Sequence, residues 1–136
     1  MTSPGATPAS LTVDRDGDWI VGTIRGSADV ATATGFFPVF SVAARKRGIR
    51  AGLLDVTDLR VTFREFDRYF FGSMASQVWP PLPLAVLGRE PVIDPSRFGE
   101  LVARNRGMNV RAFTDRAEAL RWLEGVAPKN GATPSW

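Results

Sequence analysis

The sequence contains neither cysteine nor histidine. Structural disulfides and thiolate metal sites need cysteine, and serine-histidine triads and imidazole proton relays need histidine. These arrangements are excluded, so an enzyme would have to rely on Asp, Glu, Arg, Ser, Thr or Tyr alone. We therefore expect a protein with no metal site, no cofactor and no reaction of its own.

Long apolar runs and targeting signals are also missing. No uninterrupted apolar stretch approaches the roughly 20 residues of a membrane helix, and the first ten residues do not form a secretory signal. We expect a cytoplasmic protein with no membrane span. Residues 1–10 and 126–136 are rich in Pro, Gly, Ala, Ser and Thr and are predicted to be disordered tails. The remaining residues, 11–125, suit one folded domain.

The charge balance is slightly basic, with 17 Lys and Arg against 14 Asp and Glu. A basic excess is typical of nucleic-acid binding, in which arginines neutralise phosphates. The one dense basic group, residues 45–50, follows a predicted helix, where cations complement the helix dipole, and aromatic residues do not alternate with it. We therefore expect no nucleic-acid partner.

Strand and helix signals alternate along the chain. Asp16-Gly17-Asp18 separates two β-rich runs and predicts a hairpin, so the chain opens with antiparallel strands. Apolar runs at Ala51–Val56 and Leu84–Gly88 predict buried strands, and a fourth helix follows the strand Val110–Phe113. The order β-β-α-β-α-β-α-β-α predicts a single α/β domain with a mixed, mostly parallel five-stranded sheet.

Capping residues predict where the first and third helices begin. Ser27 or Asp29 is the predicted N-cap of the first helix, which runs to about Arg47. Gly35 and Pro38 lie inside it and predict a kink or a late start near Phe36. The third helix starts at Asp94-Pro95 and runs to about Arg106.

The second helix is predicted to begin at Phe63, because Thr62 and Glu65 have the spacing of a capping box. Apolar residues then recur at steps of three and four, which is the spacing of a core-facing stripe on a helix. The stripe consists of Phe63, Phe66, Phe70 and Met74.

Three segments carry a family resemblance. They are residues 22–26 (GTIRG), residues 53–60 (LLDVTDLR) and residues 110–123 (VRAFTDRAEALRWL). Together they resemble the STAS domain of anti-sigma-factor antagonists, which has the SpoIIAA-like fold. They resemble more closely the small bacterial STAS-like proteins that are distantly similar to CRAL-TRIO lipid-binding domains. The resemblance implies a STAS-like fold and a non-catalytic regulatory or protein-interaction function.

The sequence departs from that family at one functional motif. Anti-sigma-factor antagonists carry an Asp-Ser-Ser-Gly-Leu type motif after the central strand, and its serine is phosphorylated. The corresponding stretch here, Asp55–Glu65, has no such motif. Thr57 and Thr62 are its hydroxyl residues and hence the candidate phosphoacceptors, although Thr62 also has a predicted structural role as a helix cap.

Charged residues gather after two of the predicted strands. Asp55 and Asp58 flank the carboxyl end of a central strand, where α/β proteins bind ligands, and could hold a metal or act as acid and base. The structural interpretation pairs Asp55 with Arg60 or another arginine and places Asp58 in a turn. Arg89 could bind an anion together with Arg60, or it could simply be solvated.

Two aromatic residues, Tyr69 and Phe71, lie off the predicted apolar stripe. Either this helix is buried more widely, or the rings form a patch that binds a protein partner or a second copy in a homodimer. The sheet face away from most helices is the other candidate surface for a homodimer. A small apolar or amphipathic ligand is the alternative to a protein partner. An enclosed pocket beneath residues 63–74 would favour the ligand, and its absence would favour a partner surface.

Overall fold

The chain forms a sheet flanked by helices. The computed structural model describes residues 7–129. The elements in this range are β1 (Ser10–Asp16), β2 (Trp19–Ser27), α1 (Val30–Ala44), β3 (Ala51–Asp55), β4 (Leu59–Arg60), α2 (Glu65–Val78), β5 (Leu84–Leu87), α3 (Phe98–Asn105), β6 (Val110–Phe113) and α4 (Arg116–Val126).

The strands form one mixed sheet in the order β1-β2-β3-β5-β6. β1 and β2 are antiparallel and are joined at Gly17, whose φ of 62° lies in the left-handed region that this tight turn requires. The other pairs are parallel. The α/β class and the mixed, mostly parallel sheet are therefore confirmed. The described sheet has six strands rather than five, because the two-residue strand β4 pairs with the end of β2 and is too short to produce an apolar alternation.

Each face of the sheet carries its own hydrophobic core, as β3 illustrates. Leu54 packs in one core, whereas Ala51 and Leu53 pack in the other. Crossovers between parallel strands share one hand, so α1, α2 and α3 cover the first face. α4 follows the last strand and covers the second face with Ala119 and Leu123. This second face of the sheet was expected to be open and therefore available for a homodimer. The expectation of an open face is wrong, because α4 covers it.

Aromatic rings lie directly on the sheet in the core of the three-helix face. The rings of Phe40 and Trp79 stack with their centroids 5.3 Å apart. A Cβ atom on Gly22 would lie 2.7 Å from Phe40, and one on Gly52 would lie 2.6 Å from Trp79. Because these two strand glycines have no side chains, the rings can occupy the space directly above them.

The folded part extends beyond the predicted limits of 11–125. Helix α4 includes Val126, and the indole Nε1 of Trp19 donates to the carbonyl oxygen of Ala127 over 2.9 Å. At the other end, the amide of Ser27 donates to the carbonyl of Thr7. The predicted tails are thus too long at both ends, because hydrogen bonds rather than apolar periodicity hold these residues. Residues 1–6 and 130–136 of the predicted tails lie outside the described range.

Helix α2 begins two residues later than predicted. Thr62 is exposed and does not cap the helix, and the predicted box with Glu65 is wrong. The N-cap is Arg64, whose amide donates to the Oδ2 atom of Asp67 over 2.8 Å. Asp67 therefore provides the return hydrogen bond that was assigned to Glu65.

The face of α2 that meets the core also differs from the prediction. Phe66 and Phe70, expected in the core, have 67% and 54% of their surface exposed. Phe71 turns inward instead, and its ring contacts that of Phe37 edge to face at 5.3 Å. The reason lies at Gly72, where a Cβ atom would meet the carbonyl oxygen of Gly99 at 2.6 Å. Close approach of α3 at this small residue fixes which side of α2 is buried.

The first and third helices keep their predicted places with changed limits. α1 begins after Asp29, whose Oδ1 atom accepts a hydrogen bond of 2.8 Å from the amide of Thr32, and it continues through Pro38. Pro38 is exposed, so the carbonyl group that it leaves without a donor can be hydrated. α3 starts only at Phe98 because the preceding residue, Arg97, has a left-handed φ of 57°. None of the helices between residues 7 and 129 combines the length and apolar character of a membrane span.

Candidate functional site

The carboxyl end of β3 holds one of the two predicted site carboxylates in an ion pair. Oδ2 of Asp55 lies 3.1 Å from Nη1 of Arg116 at the start of α4, and Oδ1 accepts a hydrogen bond from the amide of Thr57. Both oxygens of Asp55 are thus engaged with the protein. Within residues 7–129, no three acidic side chains come together in a way that could hold a metal ion.

Asp58 faces a different group of residues. Its Oδ2 atom lies 3.8 Å from Nε of Arg25, and both side chains are largely exposed. Together with Arg60 they line a shallow surface depression beside Ser27. Asp55 and Asp58 therefore pair with separate arginines, and they do not form an acid and base pair.

The structure does not bring the two candidate anion-binding arginines together. Arg60 lies in β4 beside β2, whereas Arg89 follows β5 on the far side of β3, and both side chains are exposed.

The candidate phosphoacceptors also differ in access. Thr62 is exposed in the segment before α2, and Thr57 is half-buried. Phosphorylation of either residue stays a prediction.

Three aromatic rings on the outer side of α2 form what we call the aromatic surface, consisting of Phe66, Tyr69 and Phe70. The rings of Phe66 and Phe70 meet edge to face at 4.4 Å, and those of Tyr69 and Phe70 at 5.9 Å. Nη2 of Arg106 donates to the hydroxyl of Tyr69 over 3.3 Å, and its guanidinium lies 5.9 Å from the ring centroid. These rings pack on one another rather than in the core.

The other side of α2 borders an apolar cavity of about 120 Å³ between α2, α3 and the sheet. Phe71, one of the predicted site residues, lines this cavity, so of the two residues off the predicted stripe only Tyr69 belongs to the aromatic surface. Further lining residues are Phe37, Phe63, Ala75, Leu84, Ile93, Ala103 and Val110. A pocket therefore lies beneath residues 63–74, the feature that was expected to favour a ligand.

Polar side chains stand at one end of this cavity. Arg68 holds the loop before α3 in place, because its Nη1 and Nη2 atoms donate to the carbonyls of Val92 and Pro91 over 2.8 Å and 2.6 Å. Asp94 belongs to the same loop and also lines the cavity. The hydroxyl of Ser96 donates to Asp94 and lowers the pKa of that carboxyl below its ordinary value of 3.8. Asp94 is therefore ionised at neutral pH and presents a negative charge beside an apolar space.

The cavity was not predicted from the sequence, although the sequence contains a pattern that indicates it. Small residues recur at helical spacing in both bordering helices, with Gly72 and Ala75 in α2 and Gly99 and Ala103 in α3. All four line the cavity. Small side chains let the two helices approach each other while leaving space beneath them, so such a pair of spacings indicates both the contact and the void.

The architecture described above is that of the SpoIIAA-like fold. An antiparallel hairpin leads into parallel strands, three helices cover one face and the last helix covers the other.

Two solved structures share this architecture. An anti-sigma factor antagonist from Mycobacterium paratuberculosis aligns over 91% of this chain and 99% of its own, with a TM-score of 0.57 and 11% sequence identity. An uncharacterised protein with a SpoIIAA-like fold from Shewanella loihica aligns over 90% of this chain and 98% of its own, with a TM-score of 0.52 and 18% identity. At these identities the likeness shows the fold alone. No protein-family model matches the chain, and no curated protein is significantly similar to it.

Proposed function

We propose that the protein is a cytoplasmic regulatory domain that binds a protein partner through the aromatic surface of α2 and catalyses no reaction. The observation that carries the proposal is the exposure of Phe66, Tyr69 and Phe70, of which 67%, 42% and 54% of the surface is open to solvent. Exposed apolar residues are ordinary when they are scattered singly, but three adjoining rings form a contiguous patch.

The chemistry of this surface suits a protein partner. Aromatic residues and arginine are enriched in protein interfaces and among the residues that contribute most of the binding energy. The rings are held before binding by their edge-to-face contacts and by Arg106. Ordering that precedes binding reduces its entropic cost. The likeness to a protein described as an anti-sigma factor antagonist supports a regulatory role of this kind.

The test is affinity capture from an extract of the protein's own host, with quantitative mass spectrometry of what is bound. Wild type is compared with a Phe66→Ser and Phe70→Ser double variant and with Val126→Ser, a matched control on the exposed side of α4. We expect a partner that is retained by wild type and control and reduced more than about thirtyfold with the double variant, because loss of anchor residues costs about 2 kcal/mol or more.

Thermal unfolding of all three proteins ensures that a loss of binding is not a loss of fold. Equal recovery of every bound protein by wild type and the double variant would contradict the proposal. So would the absence of any specifically retained protein.

The cavity supports a second candidate function, the binding of a small apolar ligand. Its volume of about 120 Å³ is close to the roughly 150 Å³ of an engineered apolar cavity that binds benzene. It is smaller than the roughly 300 to 1,000 Å³ of usual ligand pockets. As it stands, the cavity fits one ring or a short branched chain. Charged side chains of both signs, Arg68, Asp94, Arg97 and Glu100, also line the cavity, so its ligand would carry a polar group as well.

Native mass spectrometry of protein purified from its own host tests this second candidate. Ala33 lines the cavity and is 5% exposed, so Ala33→Leu would fill part of the space. Ala117→Leu, on the exposed side of α4, makes the same chemical change at a residue that does not line this cavity. We expect an additional bound mass with wild type and Ala117→Leu and none with Ala33→Leu. A mass that persists in Ala33→Leu, or no bound mass in any of the three, would contradict ligand binding in this cavity.

A further inference from the structure

The outward face of α1 is unlike that of every other helix described. No charged residue occurs between Val30 and Ala44, whereas the exposed side of α4 alternates charges. We call the exposed residues of this helix the α1 face; they are Ala31, Thr32, Gly35, Pro38, Val39 and Val42. Val39 and Val42 are 60% and 67% exposed. Ala31, Gly35, Pro38 and Val42 are three or four residues apart, and Thr32 and Val39 lie beside them, so the six residues form one stripe along the four turns of the helix.

Packing within one copy does not account for the centre of this stripe. Gly35 lies inside the helix, and a Cβ atom built there would have no neighbour within 4 Å among residues 7–129. Glycine and proline are the two residues that most disfavour a helix interior. Gly35 and Pro38 nevertheless lie one turn apart at the middle of the α1 face. A residue without a side chain at that place lets another helix backbone approach closely.

We propose that the α1 face binds the α1 face of a second copy, with the two helices antiparallel about a two-fold axis near Gly35 and Pro38. Charges at the two ends of the helix favour this occupant. Asp29 stands exposed at the amino end, and Lys46 stands exposed just after the carboxyl end. Antiparallel packing brings Asp29 of each copy toward Lys46 of the other and also opposes the two helix dipoles. Parallel packing would place like charges together.

The same geometry sets which residues meet. With the axis between Gly35 and Pro38, Gly35 of one copy faces Pro38 of the other, and Val42 of each copy covers Ala31 of the other. A helix rises about 1.5 Å per residue, so two copies of Val42 are separated by roughly 16 Å along the axis. One helix face from each copy is a modest area beside the roughly 1,200 to 2,000 Å² of a standard interface. The dimer is therefore a weak one that forms at micromolar concentrations and above.

Disulfide trapping tests the arrangement cleanly, because the chain has no cysteine of its own. Ala31→Cys and Val42→Cys proteins are oxidised separately and then as a mixture. Bridged cysteines need Cα atoms about 4.4 to 6.8 Å apart. We expect a disulfide-linked dimer in the mixture and little in either protein alone. Val126→Cys on α4 gives the level of trapping by random collision.

Sedimentation velocity from a few to a few hundred micromolar supplies the second test. We expect a concentration-dependent shift toward the dimer with wild type that is abolished by Gly35→Arg. That variant should also unfold at a higher temperature, since its side chain enters open space and removes a helix glycine, so lost association cannot be attributed to misfolding.

The possible outcomes are decisive. Efficient trapping of each cysteine variant with its own copy would show parallel packing and overturn the proposal, and so would trapping no greater than that of Val126→Cys. A strictly monomeric wild type would also overturn it. If that monomer co-sedimented with phosphatidylcholine and phosphatidylglycerol vesicles while Gly35→Arg did not, the α1 face would be a membrane-contact surface instead.

Discussion

Phe37 on α1 and Phe70 on α2 show that the same residue type can lie in the core on one helix and at the surface on the next. Phe37 is 1% exposed and contacts the rings of Phe40, Phe71 and Trp79. Phe70 is more than half exposed and contacts chiefly the rings of Phe66 and Tyr69. In this protein, the position of a phenylalanine on its helix, and not its identity, therefore decides whether it packs in the core or lies at the surface.

We predict that Phe37→Ala lowers the free energy of unfolding by about 3 to 5 kcal/mol, which is the usual cost of deleting a buried Phe side chain. Phe70→Ala should lower it by less than about 1.5 kcal/mol, because the side chain is half exposed and loses edge-to-face contacts with two surface rings. Urea unfolding measures both. Equal losses for the two variants would place Phe70 in the core, as the spacing of the sequence first indicated.

Spacing misled at Phe66 and Phe70 for a physical reason. Two apolar stripes exist on α2, one through Phe66 and Phe70 and another through Phe71, Ala75 and Val78. The first has the larger rings, so periodicity favours it. The second has the small residues that a neighbouring helix needs for close contact, and tertiary packing therefore selects it. To choose between the two stripes, one must know which residue of the neighbouring helix faces Gly72. The sequence alone does not show that contact.

The elements themselves were largely predictable, because each has a local cause. The Asp-Gly turn predicts the hairpin, the apolar runs predict β3 and β5, and α1 begins at Asp29, which is one of its two predicted caps. The failures occur where the cause is distant. β4 exists only because β2, more than thirty residues earlier in the chain, offers hydrogen bonds to it. Likewise, the partner of Asp55 is Arg116, 61 residues away in the chain.

The cap of α1 predicts a pH dependence. The hydrogen bond from the amide of Thr32 lowers the pKa of Asp29 below its ordinary value of 3.8. The carboxylate therefore stabilises the fold at pH values above the pKa of the unfolded chain, and this contribution disappears as the pH falls through the lower pKa of the folded state.

We predict that the stability of wild type falls more steeply between about pH 5 and pH 3 than that of Asp29→Asn, because Asn keeps the capping bond without titrating. Urea unfolding at a series of pH values measures this difference. Asp115→Asn is the matched control, because Asp115 occupies the same position in α4 but its side chain makes no capping hydrogen bond. Parallel curves for wild type and Asp29→Asn would contradict the prediction.

At the scale of the whole molecule, the two faces of the sheet are covered unequally. Three helices share one face, whereas α4 alone closes the other over Trp19, Leu53 and Leu87. The hydrogen bond from Trp19 to Ala127 fastens the far end of α4 to the sheet. The second core therefore depends on a single helix of 11 residues.

We predict that Leu123→Ala, at a position with 0% exposure, lowers the free energy of unfolding by about 2 to 5 kcal/mol. Leu101→Ala provides the same substitution on α3, where the side chain is half exposed, and should change it by no more than about 0.5 kcal/mol. Guanidinium unfolding of both variants makes the comparison. A small effect at Leu123 would mean that α4 is not needed to close the second core.

The placement of two tryptophans makes this asymmetry observable by fluorescence. Trp19 is buried under α4 and Trp79 is buried on the three-helix face, so each indole reports the hydration of its own side of the sheet. Indole emission moves to longer wavelength when water reaches the ring. The chain has four tryptophans, so the reporters are two single-tryptophan proteins, one that keeps Trp19 and one that keeps Trp79, with the other three replaced by Phe. Their stopped-flow traces would reveal, without any attached dye, whether α4 detaches first or both layers melt in a single step.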